Sequence, residues 1–200
     1  MIKAILFDFD GVLTIDKTGS TSIINYIAKE CDLPIDTVRA CYYRHNRLLL
    51  NGETTHKQIW PEFCNDIGKP IDFQVLIDSF THTVLDMNMI HLVKELKSNY
   101  LIGMVKYNNP DRIKTILDYN HMQNDFDVVA VSAEQHSGKS DYKIFQYVLD
   151  TLKVTAQECV FIDNTEKNLV VPNEMGMGTI MFDDETRDFA QFKARLESFF

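Results

Sequence analysis

Short, almost continuously apolar segments alternate with longer amphipathic segments along most of this chain. The apolar segments are strand-length and bounded by Asp, Asn, Ser or Gly; they are Ile2 to Phe7, Leu101 to Val105, Val128 to Val131, Cys159 to Ile162 and Thr179 to Phe182. Continuous apolarity is typical of strands that are buried on both faces of a parallel sheet. Helix-period segments between such strands favour βαβ units with right-handed crossovers. This alternation predicts an α/β protein with a doubly wound parallel sheet.

The stretch from residue 15 to residue 87 interrupts this alternation, because it has helical periodicity but no convincing strand. Its apolar residues mark four helices, around residues 23–27, 38–50, 59–67 and 73–84. A block of helices after the first strand is predicted to form a small lid over the sheet. We therefore expect a Rossmann-like core domain of residues 1–14 and 88–200, with an inserted all-helical cap domain at 15–87.

The charge balance restricts the partners of this chain. The 200 residues include 20 Lys and Arg against 29 Asp and Glu, which gives a formal net charge of −9. Nucleic acids and anionic membranes are bound by clustered Lys and Arg, so the excess of acid argues against both partners. The segment from Met1 to Phe7 lacks the features of a signal peptide, and the four cysteines form no CxxC pair. We expect a cytoplasmic protein with reduced thiols.

Two aspartates follow the first predicted strand in the octapeptide FDFDGVLT, residues 7–14. Strand alternation places Asp8 and Asp10 on one side, at the carboxyl end of a parallel strand, where open α/β sheets bind ligands. Two carboxylates so close repel one another, and a divalent cation commonly relieves that repulsion. Gly11 permits a sharp turn that brings backbone N–H groups near an anion. The spacing alone is equally compatible with a capped loop that carries two solvated aspartates.

The octapeptide resembles the first motif of the haloacid dehalogenase superfamily, DxDG[VT][LI][TV]. Three further segments are similar to features of that superfamily and follow in the expected order. Residues 51–60 resemble the G-E-I-T…W stretch of helical-cap members near the phosphatase half of soluble epoxide hydrolases; residues 132–145 resemble the third motif, and residues 160–177 resemble the acidic fourth motif. The resemblance covers nearly the whole chain and implies the helical-cap phosphatase branch, whose small members are often monomers or homodimers.

The resemblance implies a Mg²⁺-dependent hydrolase of small phosphate monoesters that works through an aspartyl-phosphate. Asp8 would attack phosphorus, and Asp10 would protonate the leaving alcohol and then deprotonate the attacking water. Lys139 would hold Asp8 and the phosphoryl oxygens as a fixed cation. Mg²⁺ would lie between Asp8, the carbonyl oxygen of Asp10 and the fourth motif, where Asp163 and Asn164 are the expected ligands. The implied partner is a small phosphorylated metabolite.

Two positions depart from the motifs of the superfamily. The second motif should supply Ser or Thr, but Lys106 stands there; similar chains read TDNKxDRI where this chain reads KYNNPDRI. The Lys106 ammonium could bind phosphate beside Lys139, displace the metal, pair with Asp8, or point into solvent. Asn164 carries no net charge at the position that most often ligates Mg²⁺, and Asp163 could compensate directly or through a water. Both changes predict weakened metal binding.

These departures leave alternatives to the hydrolase open. A degenerate relative would keep the fold and bind phosphate or a protein partner without turnover. A sugar-phosphate mutase would share the two aspartates, and its product from a hexose 1-phosphate would distinguish it from a hydrolase. Carbon–halogen cleavage is disfavoured, because dehalogenases of the superfamily lack the second acid that Asp10 provides.

Substrate contacts are expected from the core and from one predicted cap helix. Tyr43 and Arg47 recur at helical spacing and would share a basic and aromatic face. In helical-cap relatives such a face can contact the leaving group, so we expect Arg47 to bind substrate, unless the face is a solvated outer surface. The core is expected to contribute Gly11, Lys106 and Asn108.

Overall fold

The computed structural model describes all 200 residues, and a five-stranded sheet lies at its centre. The strands are β1 Ala4–Phe7, β2 Leu101–Lys106, β3 Val128–Val131, β4 Cys159–Asp163 and β5 Gly178–Met181. Their order across the sheet is β3-β2-β1-β4-β5, and every neighbouring pair is parallel. The bounds differ by at most two residues from the apolar segments that predicted them. The Rossmann-like α/β fold is confirmed.

The central strand β1 is buried on both faces, as its continuous apolarity predicts. Ile5 and Phe7 belong to a hydrophobic cluster of 38 buried residues, whereas Ala4 and Leu6 belong to a second cluster of 15. Alternate residues of a strand point to opposite faces of the sheet, so one four-residue strand contributes to two separate cores. This arrangement holds the end of β1, and the aspartates that follow it, in a rigid position.

Helices cover both faces of the sheet and also form the block that follows β1. They are α1 Gly19–Glu30, α2 Ile35–Leu50, α3 His56–Ile67, α4 Phe73–Thr81, α5 Met87–Leu96, α6 Pro110–Tyr119, α7 Ser132–Gln135, α8 Tyr142–Leu152, α9 Val170–Glu174 and α10 Phe189–Glu197. The first four correspond to the four predicted helices of residues 15–87, and no strand lies among them. Helices α5, α7 and α9 were not predicted from the sequence. None of the helices combines the length and the apolar character that a membrane crossing requires.

The start of α6 ties the core to the helical block. Asn109 is the N-cap residue and Pro110 the first helical residue, as their order in the sequence predicts. The Asn109 side chain makes no capping hydrogen bond. Its Nδ2 instead donates to the carbonyl oxygens of Leu49 at 3.3 Å and Thr54 at 3.4 Å. These bonds hold the turn after α2 against the loop that follows β2.

Gly52 lies in that turn and allows a close backbone approach. Its φ is +74°, and a Cβ there would lie 2.1 Å from the carbonyl oxygen of Ala133. We expect Gly52→Ala to lower the free energy of unfolding by about 3 kcal/mol, because a left-handed backbone and a backbone clash act together. Urea denaturation measures this loss.

Gly68 provides the matched control, since its φ is +75° but a Cβ there would meet nothing within 4 Å. Gly68→Ala should therefore lose only about 1 kcal/mol, from backbone strain alone. Equal losses at the two positions would contradict the close contact between Gly52 and Ala133.

Candidate active site

A polar cavity of about 1030 Å³ opens at the carboxyl ends of the strands. The ends of β1, β2 and β4 contribute its floor, with Asp8, Lys106 and Asn164 among the lining residues. Helices α1 and α2 contribute Ser20 and Tyr43 from the opposite side. This position, outside the carboxyl ends of parallel strands, is where open α/β sheets bind ligands.

The Asp8 carboxylate follows β1 directly and has one fixed oxygen. Oδ1 accepts a hydrogen bond from the backbone N–H of Phe9 at 2.6 Å and lies 3.2 Å from the Lys106 Nζ and 2.7 Å from the Lys139 Nζ. Oδ2 accepts no hydrogen bond from the protein, and the residue lines the cavity. Asp8 therefore has one oxygen that is held by three donors and one that is available to a ligand.

The Asp10 carboxylate is enclosed by cations. Arg112 contacts both of its oxygens, with Nη2 2.9 Å from Oδ1 and Nη1 3.1 Å from Oδ2. The Lys106 Nζ lies 2.8 Å from Oδ2, and the Asn108 Nδ2 donates to the same oxygen at 3.4 Å. Burial alone would raise the pKa of Asp10, but the charges of Arg112 and Lys106 outweigh it and hold that pKa at about 2. Asp10 is therefore a carboxylate in this arrangement.

Lys106 lies between the two aspartates and not in solvent. It ends β2, which neighbours β1 in the sheet, so its side chain meets Asp8 and Asp10 at the same edge. Its side chain is only 8% exposed. Burial lowers the pKa of Lys106, but the two carboxylates outweigh that effect and raise the pKa above its ordinary value. The side chain is a fixed positive charge next to the free oxygen of Asp8.

Asp163, at the end of β4, is fully buried and fully hydrogen-bonded. Oδ2 lies 2.7 Å from the Lys139 Nζ, and Oδ1 accepts the backbone N–H of Thr165 at 2.8 Å. The Asn168 Nδ2 donates to both oxygens, at 3.1 and 3.2 Å. Burial raises the pKa of Asp163, and the Lys139 ammonium opposes that rise. Asp163 therefore positions Lys139 next to Asp8.

The residues expected to hold Mg²⁺ have free oxygens, and two ammonium groups lie among their carboxylates. No three His, Cys, Asp or Glu side chains are grouped so that they could hold a metal. Ammonium groups lie between the carboxylates instead, with Lys106 between Asp8 and Asp10 and Lys139 between Asp8 and Asp163. Asp8 Oδ2, the Asp10 carbonyl oxygen and Asn164 Oδ1 accept no hydrogen bond from the protein, so oxygens of the kind that Mg²⁺ prefers are available at the cavity.

Asn164, the fourth expected ligand, is oriented through its amide nitrogen, and its Oδ1 accepts no hydrogen bond from the protein. Its Nδ2 donates to the Asp184 Oδ2 at 2.8 Å, and Asp184 in turn pairs with Lys17 at 3.2 Å. A Cβ at Gly11 would lie 2.1 Å from this Nδ2, so the glycine makes room for the amide. The ligand set of Asp8, Asp10, Asp163 and Asn164 stays a prediction, and Asp163 is the member whose two oxygens both accept hydrogen bonds from the protein.

Two expected substrate contacts also differ in the structure. Gly11 has the predicted turn, with φ +80°, but its N–H donates to the Thr14 Oγ1 at 3.1 Å and not into the cavity. Arg47 does not line the cavity; its side chain is 74% exposed and lies 3.5 Å from Glu53. Tyr43, one turn earlier on α2, does line the cavity. Helical spacing alone does not establish which edge of a helix faces the core.

Arg112 contacts the candidate site and was not predicted from the sequence to do so. It has no exposed surface, and its Nε has no hydrogen-bond partner. A signal was present, because Arg112 precedes Ile116 by four residues and therefore lies on the apolar face of α6. A cation on a buried helical face implies a buried anion, and that anion is Asp10.

Sequence comparisons match this chain to a known family. A family model described as a haloacid dehalogenase-like hydrolase matches residues 2–170. Bifunctional epoxide hydrolase 2 of Rattus norvegicus is 23% identical over 205 residues, which cover 92% of this chain and 37% of the rat protein. Acyl-CoA dehydrogenase family member 10 of Mus musculus is 26% identical over 195 residues, which cover 90% of this chain and 18% of that protein. The chain thus spans much less than half the length of these relatives.

Solved structures agree with the family match at the level of the fold. A HAD family enzyme of Bacteroides thetaiotaomicron superimposes with a TM-score of 0.75 at 18% identity, covering 96% of this chain and 98% of that one. The same enzyme in complex with magnesium and inorganic phosphate gives 0.71 at 19% identity, covering 96% and 99%. A HAD-like family hydrolase of Porphyromonas gingivalis gives 0.72 at 19% identity, covering 98% of each chain. The motif FDFDGVLT lies at the end of β1, and the family model matches most of the chain. The chain therefore belongs to the haloacid dehalogenase-like hydrolase family.

Proposed function

We propose that this chain hydrolyses small phosphate monoesters by transferring the phosphoryl group to Asp8 and then to water. The Asp8 carboxylate carries the proposal: Oδ1 is fixed by three donors, and Oδ2 accepts no hydrogen bond at the floor of the cavity. A carboxylate held in this way presents one oxygen for attack without loss of orientation. The complex of the Bacteroides enzyme with magnesium and inorganic phosphate supports phosphate as the ligand class and Mg²⁺ as the accompanying ion.

The proposed reaction has two steps. In the first, the Asp8 Oδ2 forms a bond to phosphorus, the ester bond from phosphorus to oxygen breaks, and the leaving oxygen takes a proton from water, since Asp10, with a pKa of about 2, carries none at neutral pH. In the second, water attacks the aspartyl-phosphate and its proton goes to the hydroxide that the first step left, which restores the Asp8 carboxylate and releases inorganic phosphate. The acid and base role expected of Asp10 is therefore not part of this proposal, because cations hold both of its oxygens. Lys106 and Lys139 lie beside the Asp8 carboxylate and would stabilise the charge of the phosphoryl group in both steps.

We also propose that residues 15–87 act as a cap domain on a core of residues 1–14 and 88–200. Helices α1 and α2 line the cavity opposite the strand ends, which supports a role in enclosing the substrate. Tyr43 and Asn46 of α2 would then contact the leaving group, while the phosphoryl group meets the core.

A covalent-intermediate experiment tests the proposed function. The protein is mixed with a reactive aryl phosphate, quenched in acid within the first turnovers, and digested for mass spectrometry. We expect phosphate on the peptide that contains Asp8, and hydroxylamine should remove it because acyl phosphates react with that nucleophile. Hydrolysis without any phosphorylated Asp8 peptide would contradict attack by this carboxylate.

A second candidate is a phosphate-binding relative without turnover. It is favoured by the Arg112 guanidinium, which contacts both oxygens of Asp10 and leaves neither free to carry a proton. Phosphorus-31 NMR distinguishes the two candidates, because a binder broadens or shifts the signal of a phosphate ester without producing inorganic phosphate. Accumulation of inorganic phosphate in proportion to protein concentration would exclude the second candidate.

Cap variants test which residues contact the leaving group. We expect Tyr43→Ala to raise KM for an ester with a polar leaving group by about fivefold, the equivalent of about 1 kcal/mol of lost contact, with kcat unchanged. Arg47→Ala should leave both constants unchanged, because Arg47 lies outside the cavity. Steady-state kinetics measure KM and kcat of both variants. A raised KM in Arg47→Ala, with none in Tyr43→Ala, would contradict contact between Tyr43 and the leaving group.

A further inference from the structure

The side chain of Asn164 has two ends of opposite chemistry. The amide oxygen can ligate a cation, whereas the amide nitrogen only donates hydrogen bonds, and the two ends have nearly the same shape. Half a turn about the last side-chain bond exchanges them. An aspartate at this position would present an oxygen in either orientation. Asn164 can therefore act as a metal ligand only if another group determines which end is available at the cavity.

The Asp184 carboxylate determines the orientation of this amide. Its Oδ2 lies 2.8 Å from the Asn164 Nδ2. An ionised carboxylate only accepts hydrogen bonds, so it attracts the amide nitrogen and repels the amide oxygen. Asn164 is 5% exposed and lines the cavity, and its Oδ1 accepts no hydrogen bond from the protein. The pairing with Asp184 therefore leaves Oδ1 as the end that a ligand can reach.

The loop that carries Asp184 is anchored at both of its ends. At its start, the backbone N–H of Phe182 donates to the carbonyl oxygen of Asp163 at 2.9 Å, which continues the pairing of β4 with β5. At its end, the Arg187 guanidinium donates to the carbonyl oxygen of Gly11 at 2.9 Å. The Asp184 carboxylate is thus held beside the amide by the fold, and it loses little freedom when it orients that amide.

The pairing of Asp184 with Lys17 does not replace this role. The Lys17 Nζ lies 3.2 Å from the other carboxylate oxygen, Oδ1, and the Lys17 side chain is 61% exposed. An exposed ion pair contributes little. The hydrogen bond to Asn164, in contrast, joins two side chains that are both largely buried.

From this geometry we infer that Asp184 is a positioning residue, which holds the Asn164 amide so that its Oδ1 can ligate Mg²⁺. Partners of this kind fix the orientation of a metal ligand and raise its basicity. Asp184 also places a negative charge one hydrogen bond away from a neutral ligand. The inference rests on the proposed function only in taking Mg²⁺ as the ion that accompanies phosphate.

Calorimetry tests the inference without any turnover. MgCl₂ is titrated into the full chain and into Asp184→Ala, which removes the acceptor of the Asn164 amide. We expect the affinity for Mg²⁺ to fall by about tenfold or more, because the hydrogen-bond partners of metal ligands have effects of this size. Glu185→Ala is the matched control. It removes a carboxylate of the same loop that makes no side-chain hydrogen bond and does not line the cavity, so the affinity should be that of the wild type.

Two double variants separate orientation from direct ligation and from a general effect of charge. When Asn164→Ala is already present, Asp184→Ala should cause no further loss of Mg²⁺ affinity, because no amide is left to orient. Asn164→Asp combined with Asp184→Asn exchanges the two groups and keeps both the total charge and a donor facing an acceptor. This exchanged variant should bind Mg²⁺ at least as tightly as the wild type. Circular dichroism checks folding, and Asp184→Leu, which also lacks an acceptor, replaces Asp184→Ala if alanine is not tolerated.

The outcomes separate the inference from the proposed function. No Mg²⁺ binding by the wild type, or unchanged affinity in folded Asp184→Ala, would overturn the inference. So would an equal loss with and without the Asn164 amide, or a folded exchanged variant that binds no more tightly than Asp184→Ala. A loss that depends on Asn164, in a chain that hydrolyses no phosphate ester, would refute the proposed function and leave the inference standing. Hydrolysis that requires MgCl₂, with unchanged Mg²⁺ affinity in Asp184→Ala, would support the proposed function and refute the inference.

Discussion

Asp8→Asn is expected to lower the rate of phosphate ester hydrolysis by about 1,000-fold or more, because an amide oxygen is a poor nucleophile at phosphorus. The substitution keeps the shape of the side chain, and Oδ1 can still accept the backbone N–H of Phe9. The loss should appear in kcat for an aryl phosphate, in assays with and without MgCl₂. The phosphorylated Asp8 peptide should disappear with it.

Asp72→Asn is the matched control for this variant. Asp72 is the exposed N-cap of α4, lies outside the cavity, and accepts the backbone N–H of Gln74 at 2.8 Å. Asn caps helices as well as Asp, so stability and rate should both be unchanged. A rate that survives in Asp8→Asn, with the variant folded and free of wild-type protein, would eliminate the covalent mechanism.

Arg112→Leu should produce the largest loss of stability among single substitutions of a charged residue. Arg112 has no exposed surface, and its guanidinium contacts both oxygens of Asp10. Removing one partner of a buried ion pair leaves the other without its counter-charge, which lowers the free energy of unfolding by about 3–5 kcal/mol. Urea denaturation at neutral pH measures the change. Lys106 limits the loss, because it still contacts Asp10.

The controls for this prediction separate charge from packing. Arg39→Leu removes an arginine that is 47% exposed and pairs with the exposed Asp36, so it should change stability by no more than about 0.5 kcal/mol. Adding Asp10→Asn to Arg112→Leu should recover part of the loss, because no buried carboxylate then lacks its arginine. A double variant that is less stable than either single variant would indicate that the guanidinium acts through packing alone.

The fold was predictable because its signals are local. Strands buried on both faces have continuous apolar sequences, and all five observed strands lie within two residues of such segments. The helices of residues 15–87 have clear apolar periodicity. Helix α5 was not predicted, although Ile90 and Val93 are buried in the main core. The short helices α7 and α9 span only 4 and 5 residues, too few for a periodic pattern to be recognised.

The position of the site was predictable as well, whereas its contacts were not. Asp8, Lys106 and Asp163 meet because each comes at or directly after the carboxyl end of a strand, and parallel strands end at one edge of the sheet. The partner of each charge depends on side-chain directions that periodicity does not encode. Arg47 was expected in the cavity and lies outside it, while Arg112 was overlooked and pairs with Asp10, which lines the cavity.

The sequence by itself determined where short apolar segments alternate with longer amphipathic ones. That pattern specifies a parallel sheet with two aspartates after its first strand. Only the tertiary structure decided which cations neutralise those aspartates. Lys106 is 98 residues from Asp8, and Arg112 is 102 residues from Asp10. Contacts over such separations arise from the packing of β2 and α6 beside β1, and a local pattern does not contain that information.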